Sequence, residues 1–138
     1  MNILFVEDND TLASLFRVQL RMIGNHTLTS AATKREALQA FNNNTFDLIF
    51  VDMGLEGLQD RGLEILTEIK AVAPQQRIGV LSSNDQREMV RLSQKAGAEF
   101  YLIKPFTIEV LALILAGDRE AIQNYQPDKI GEGRVIAF

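Results

Sequence analysis

Five residues with reactive or charged groups stand directly after short apolar runs. Glu7 and Asp8 follow "NILFV" (2–6), Asp52 follows "DLIFV" (47–51), and Ser82 follows "RIGVL" (77–81). Lys104 follows "EFYLI" (99–103) and precedes Pro105. Brought together, Glu7, Asp8 and Asp52 repel one another, so such a cluster calls for a divalent cation. Oxygen ligands with no His or Cys beside them point to a hard ion. Mg2+ fits best, because it keeps several waters and takes one or two carboxylates together with phosphate oxygens. A phosphoryl group then completes the shell. Asp52 can act as the nucleophile and form an acyl phosphate. Lys104 can pair with the incoming phosphoryl oxygens and Ser82 can donate a hydrogen bond to one of them, which neutralises charge where phosphoryl transfer needs it.

Positioning these groups requires strands that end at one edge. Apolar runs of about five residues read as strands buried on both faces. A weaker, half-polar run, "HTLTS" (26–30), supplies a fifth strand. Helical patterns lie between them. Leu12, Leu15, Phe16, Leu20 and Ile23 share one helical face. Thr33 with Glu36 is a capping box for a second helix, whose stripe is Ala37, Leu38 and Phe41. Leu63, Leu66 and Ile69 mark a third, stopped before Pro74. Met89, Val90 and Ser93 mark a fourth that closes near Gly97, and Thr107 to about Gln123 reads as a fifth. Five βα units imply an α/β fold, a doubly wound parallel sheet with helices on both faces. Ligands in such sheets bind beyond the carboxyl ends of the strands. Four of the five strands deliver Glu7-Asp8, Asp52, Ser82 and Lys104 to that edge.

In this order and register the chain resembles the response-regulator receiver domain of two-component signalling, along roughly residues 1–123. The resemblance rests on Glu7-Asp8, Asp52, the "VLSS" run with Ser82, and "YLIKPF" with Tyr101, Lys104 and Pro105. The separations from Asp8 to Asp52 to Ser82 to Lys104 are 44, 30 and 22 residues. The resemblance implies a flavodoxin-like, five-stranded (βα)5 three-layer sandwich with strand order 2-1-3-4-5. It implies that Asp52 accepts a phosphoryl group from a histidine kinase, a phosphotransfer protein or a small phosphodonor. Asp8, Asp52 and the backbone carbonyl of Gly54 would hold Mg2+, with Glu7 acting through a coordinated water. Ser82 and Tyr101 would form a switch pair that repacks the face made by the fourth helix, fifth strand and fifth helix, through which a homodimer is also expected. The Lys104-Pro105 bond is expected to be cis.

The chain also departs from that family's usual pattern. After Asp52 it reads "DMGLEGLQDRGLEIL", with Glu56 where Pro is usual and two extra residues before Gly62. Ser83 stands where a smaller residue is common. Gly54 and Asn84 occupy two positions that tune acyl-phosphate hydrolysis in the family. Gly54 has no side chain to orient an attacking water, which predicts a long-lived phosphoryl group.

The 138 residues suit one core, with 46% hydrophobic and 23% charged residues. The expected division is a domain over 1–123 and a tail or linker stub over 124–138. A net charge of −4 gives no footprint for nucleic acid. There are no cysteines, hence no disulfide framework. The amino terminus reaches Glu7 after one short run, unlike a signal peptide or membrane span, so a cytoplasmic location is expected. No Gly-rich phosphate loop follows the first strand. His26, the only histidine, lies at a half-polar strand start and reads as a surface residue. Two other functions compete. One is an adaptor of the same fold that works without phosphorylation. The other is a Mg2+-dependent phosphatase with an Asp nucleophile, against which stands Gly54 at the position where such enzymes carry an acid. The segment "VLALILA" (110–116) is apolar almost all round its helix, which suits deep packing or a dimer surface. "NYQPDKIGEG" (124–133) reads as linker. "RVIAF" (134–138) is strand-like and could cover the fifth helix, pair with another chain, or lead to an output domain.

Overall fold

The computed structural model describes residues 1–83, 86–125 and 134–138. Asn84 and most of the stretch read as linker lie outside them. Strands and helices alternate: β1 (Asn2–Val6), α1 (Asp10–Ile23), β2 (Thr27–Ala31), α2 (Lys34–Asn43), β3 (Leu48–Asp52), a 3-10 turn (Leu55–Gly57), α3 (Arg61–Val72), β4 (Ile78–Ser82), α4 (Arg87–Lys95), β5 (Phe100–Ile103), α5 (Ile108–Ala116), α6 (Arg119–Asn124) and β6 (Val135–Ala137). The sheet order is β2-β1-β3-β4-β5-β6. The first five strands are parallel, in the expected order 2-1-3-4-5. The sixth is antiparallel to β5, with Tyr101 opposite Ile136. The strand expected from "RVIAF" forms, but it pairs with β5 of its own chain rather than with another chain.

Period-two alternation sorts the strand residues between two cores. Leu4, Val6, Ile49, Val51, Ile78, Val80, Tyr101 and Ile103 face α2, α3 and α4, where Ala37, Ile65, Leu66, Ile69 and Met89 meet them. Ile3, Phe5, Leu48, Phe50, Leu81, Phe100 and Leu102 face α1, α5 and α6. This second core is aromatic: the Phe5 and Phe16 rings stack at 4.0 Å between centroids, and Phe50 meets Phe100 edge-on at 5.5 Å. Gly79 on β4 lies under the Phe100 ring, where a Cβ would overlap it. The tail strand obeys the same alternation. Ile136 packs on the first core, and Val135 and Ala137 pack on the second.

The helix starts are set locally. Asn9 Oδ1 accepts from Leu12 N–H at 3.0 Å, and Thr33 Oγ1 accepts from Glu36 N–H at 3.1 Å, the expected capping box. One expectation is corrected. The helix read from Thr107 to about Gln123 is two helices, because Gly117 turns left-handed at φ 72° and Asp118 caps a new helix by accepting from Ala121 N–H. In α5, Val110, Leu111, Ile114 and Leu115 are buried, so its apolar circumference largely serves the core. Among the described residues no helix is long and apolar enough to cross a membrane.

Candidate functional site

The carboxyl ends of β1, β3, β4 and β5 place the charged groups side by side. Asp52 and Ser82 are the last residues of their strands, while Glu7 and Lys104 lie one beyond theirs. Backbone hydrogen bonds carry the sheet into this edge: Met53 N–H donates to Leu81 O and Lys104 N–H to Ser82 O, both at 2.8 Å. The Lys104-Pro105 bond is cis, as expected.

Lys104 Nζ lies 2.8 Å from Glu7 Oε1 and 3.3 Å from Asp52 Oδ1, so one ammonium bridges two buried carboxylates. One oxygen each from Glu7, Asp8 and Asp52 lies within 4.8 Å of the others. Glu7 is 3% exposed. Burial pushes its carboxyl up to about 7, and the neighbouring Asp52 charge adds to the rise while Lys104 opposes it. Burial works against the Lys104 ammonium, but its hydrogen bond to Glu7 and the charges of Asp52 and Glu7 outweigh this and hold its pKa above the usual value.

The segment after Asp52 folds back over the site. Gly54 N–H donates to Asp52 Oδ1 at 3.3 Å, and Gly54 O accepts from Gly57 N–H at 3.2 Å. Glu56 is left-handed (φ 58°), and its N–H donates to Asp8 Oδ2 at 3.0 Å. Its own carboxylate is tied down by Lys34 N–H at 3.1 Å and Arg61 Nη1 at 3.3 Å. A proline at position 56 has no N–H and a fixed negative φ, so it could make neither this turn nor this bond. The departure noted in the sequence thus supplies a donor to a carboxylate of the acidic cluster. Gly62 ends the segment: its N–H donates to Met53 O at 3.0 Å, and a Cβ there would collide with the Asp52 carbonyl.

A cleft of about 170 Å³ opens beside Asp52 and is lined also by Gly54, Gln59, Ser82, Met89 and Lys104. Ser83, which stands where a smaller residue is common, lines it too. A larger cleft of about 610 Å³ lies at the amino ends of β3 and β4, away from these groups. Its carboxylate, Asp47, already accepts from Asn2 N–H at 2.6 Å.

The structure thus brings Glu7, Asp8, Asp52, Ser82 and Lys104 together and puts the Gly54 backbone beside Asp52. Tyr101 does not enter the cleft and is fully buried in the core facing α4. Sequence reasoning missed two contributors. The Glu56 amide is a backbone group and leaves no residue-type signal. Gln59 sits in a loop of raised length, where length was the only clue.

A doubly wound, mainly parallel sheet with an acidic cluster and a lysine at its carboxyl edge places the chain among the α/β proteins that bind their ligands beyond the strand ends. The sequence matches the response regulator receiver domain family over residues 3–116, and the chain belongs to that family. It is 30% identical to the transcriptional regulatory protein MalR of Bacillus subtilis over 91% of this chain and 53% of MalR. It is 29% identical to chemotaxis protein CheY-3 of Vibrio cholerae over 80% of this chain and 85% of that protein. Among solved structures, a CheY-like receiver domain protein from Methanospirillum hungatei superposes with a TM-score of 0.77 at 25% identity, covering 84% of this chain and 90% of that one. NtrX from Brucella abortus gives 0.77 at 29% identity over 87% of this chain and 27% of NtrX. The chain spans about half the length of MalR and about a quarter of the alginate regulator AlgB of Pseudomonas aeruginosa. Receiver domains of two-component systems are signalling domains that generally act as phosphorylation switches rather than as enzymes. The cluster of Glu7, Asp8 and Asp52 fits a receiver site for Mg2+.

Proposed function

We propose that this chain is a switch phosphorylated on Asp52, with a histidine kinase or phosphotransfer protein as donor. The observation that carries the reading is the Lys104 ammonium held between Glu7 and Asp52 at 2.8 and 3.3 Å, with Asp8 alongside. An Asp52 oxygen attacks the donor's phosphorus, the bond from phosphorus to the donor atom breaks, and its electron pair leaves with the donor. Asp8, Asp52 and the Gly54 carbonyl would hold Mg2+, with Glu7 reaching it through a water. The ion supplies positive charge against the phosphoryl oxygens. Lys104 neutralises a second oxygen and Ser82 donates a hydrogen bond to a third.

Ser82 and Tyr101 form the switch pair in this reading. Tyr101 lies within β5, between the β4 ladder and the tail strand β6, so any repacking of its ring acts on α4, β5 and β6 together. A second copy docking on the α4, β5 and α5 face would meet β6 along the β5 edge.

The test is incubation with acetyl phosphate and Mg2+, followed by intact mass. Wild type gains one phosphoryl mass and Asp52→Asn gains none. No adduct on wild type, or an adduct that persists in Asp52→Asn, refutes the reading.

A further inference from the structure

Among the described residues lining the Asp52 cleft, Gln59 is the one carboxamide. The others named there are carboxylate, hydroxyl, ammonium, thioether or glycine groups. The Gln59 side chain makes no hydrogen bond to any described residue and is exposed, so its amide faces water at the mouth of the cleft. The loop that carries it is pinned on both sides. Leu58 N–H donates to Leu55 O and Arg61 N–H to Leu58 O, both at 3.1 Å, and the Glu56 carboxylate holds the segment to Lys34 and Arg61. Across the cleft Gly54 leaves open space, since a Cβ there would meet nothing within 4 Å.

A carboxamide has an acceptor and two donors on one rigid plane. It can accept a hydrogen from a water while donating to a phosphoryl oxygen, the pair of contacts that sets a water in line with phosphorus. Lys104 has no acceptor, and thioethers hold water poorly. We infer that Gln59 orients the water that hydrolyses the acyl phosphate on Asp52, so the lengthened loop sets the lifetime of the phosphorylated state. The inference rests on the reading of Asp52 as acceptor. It adds the loop to positions 54 and 84, of which position 54 has no side chain to orient a water. In the step, the water oxygen bonds to phosphorus and the bond from phosphorus to the Asp52 oxygen breaks. The electron pair returns to the Asp52 carboxylate, and both water protons end on the released inorganic phosphate.

Wild type, Gln59→Ala and the double variant Gln59→Ala with Gly54→Asn are phosphorylated with acetyl phosphate and Mg2+, freed of donor, and followed by intact mass and phosphate release. Gln59→Ala is expected to lose the phosphoryl group roughly fivefold more slowly, the worth of one neutral hydrogen bond in the transition state, while its formation changes by less than that. An amide restored from position 54 is expected to speed decay again. Equal decay in wild type and Gln59→Ala overturns the inference. So does a Gln59→Ala protein slowed equally in formation and decay, because that marks a general disturbance of the site. A wild type that never gains the adduct removes the Asp52 reading itself, and this shows before any decay is measured.

Discussion

Raising the pH of the metal-free protein takes a proton from Glu7, and the fold should weaken as it leaves. In the folded state Glu7 titrates at about 7, against 4.5 for an unperturbed glutamate. Between those values the folded chain holds a proton that the unfolded chain has released, so the folded state is favoured by proton binding. That contribution is complete below the unfolded value and is lost as pH rises through 7. A rise of this size, at 1.36 kcal/mol per pH unit, amounts to about 3 kcal/mol in full, and to about 2–3 kcal/mol between about pH 5 and pH 8. The assay is urea unfolding with a chelator present, across that range, on wild type and Glu7→Gln. With a slope of about 2 kcal/mol per molar urea, the wild-type midpoint should fall roughly 1 M further than the variant's. His26, whose pKa is lowered by burial and by the amino terminus, acts in the opposite sense, but it is common to both proteins and cancels in the difference. Glu7→Gln also alters the partner of Lys104, which shifts the curve as a whole, so the slope with pH is the quantity that decides. Equal slopes for the two proteins would refute the reasoning. Mg2+ favours the ionised carboxylate and should shrink the difference between them.

Three further perturbations address the parts that shape the site. Glu56→Pro removes the N–H that reaches Asp8 and cannot adopt φ 58°; Mg2+ affinity by calorimetry should drop roughly tenfold, with a smaller loss for Glu56→Ala, which keeps the amide. Gly62→Ala drives a Cβ into the Asp52 carbonyl and to 2.7 Å from Met53 Cα; urea unfolding should show a loss of about 1–3 kcal/mol, and acetyl phosphate labelling of Asp52 should slow. Removing residues 134–138 uncovers the β5 edge and its half-buried contacts with Ile136 and Phe138. Stability should fall by about 1–3 kcal/mol, and sedimentation should show association that grows with concentration as the bare edge finds another strand.

The sheet was legible because its strands announce themselves twice, as apolar runs and as runs that stop at a polar residue. Leu48, Ile49, Phe50 and Val51 are all fully buried, as a run apolar on both faces requires. The same logic exposed Glu7, Asp8, Asp52, Ser82 and Lys104, since strand ends in one parallel sheet must share an edge. The break between α5 and α6 was also written in the sequence, as Gly117 followed by Asp118, a helix stop followed by a helix start. The nearly continuous apolar stretch through 110–116 masked it. What could not be read was made by backbone or by a fold-back of the loop. The donor to Asp8 is the peptide N–H of Glu56, and its placement depends on two left-handed residues in succession, Glu56 and Gly57. Residue types alone do not specify such a turn. For the tail, the short apolar run in "RVIAF" indicated a strand but not its partner, because an exposed β5 edge accepts a strand from the same chain or from another on equal terms.

That tail joins the sheet at the point where it bears on the site. Ile103 N–H donates to Arg134 O at 2.8 Å, and the next amide along β5, Lys104 N–H, donates to Ser82 O. Tyr101 stands two residues before Ile103 on β5, with Val80 on one side and Ile136 on the other. The peptide groups of Ile103 and Lys104 therefore tie β4 and its terminal Ser82 to Arg134, the residue before β6. In a fold whose first five strands match the common receiver plan, this sixth strand of the same chain pairs with the β5 edge that would otherwise be open.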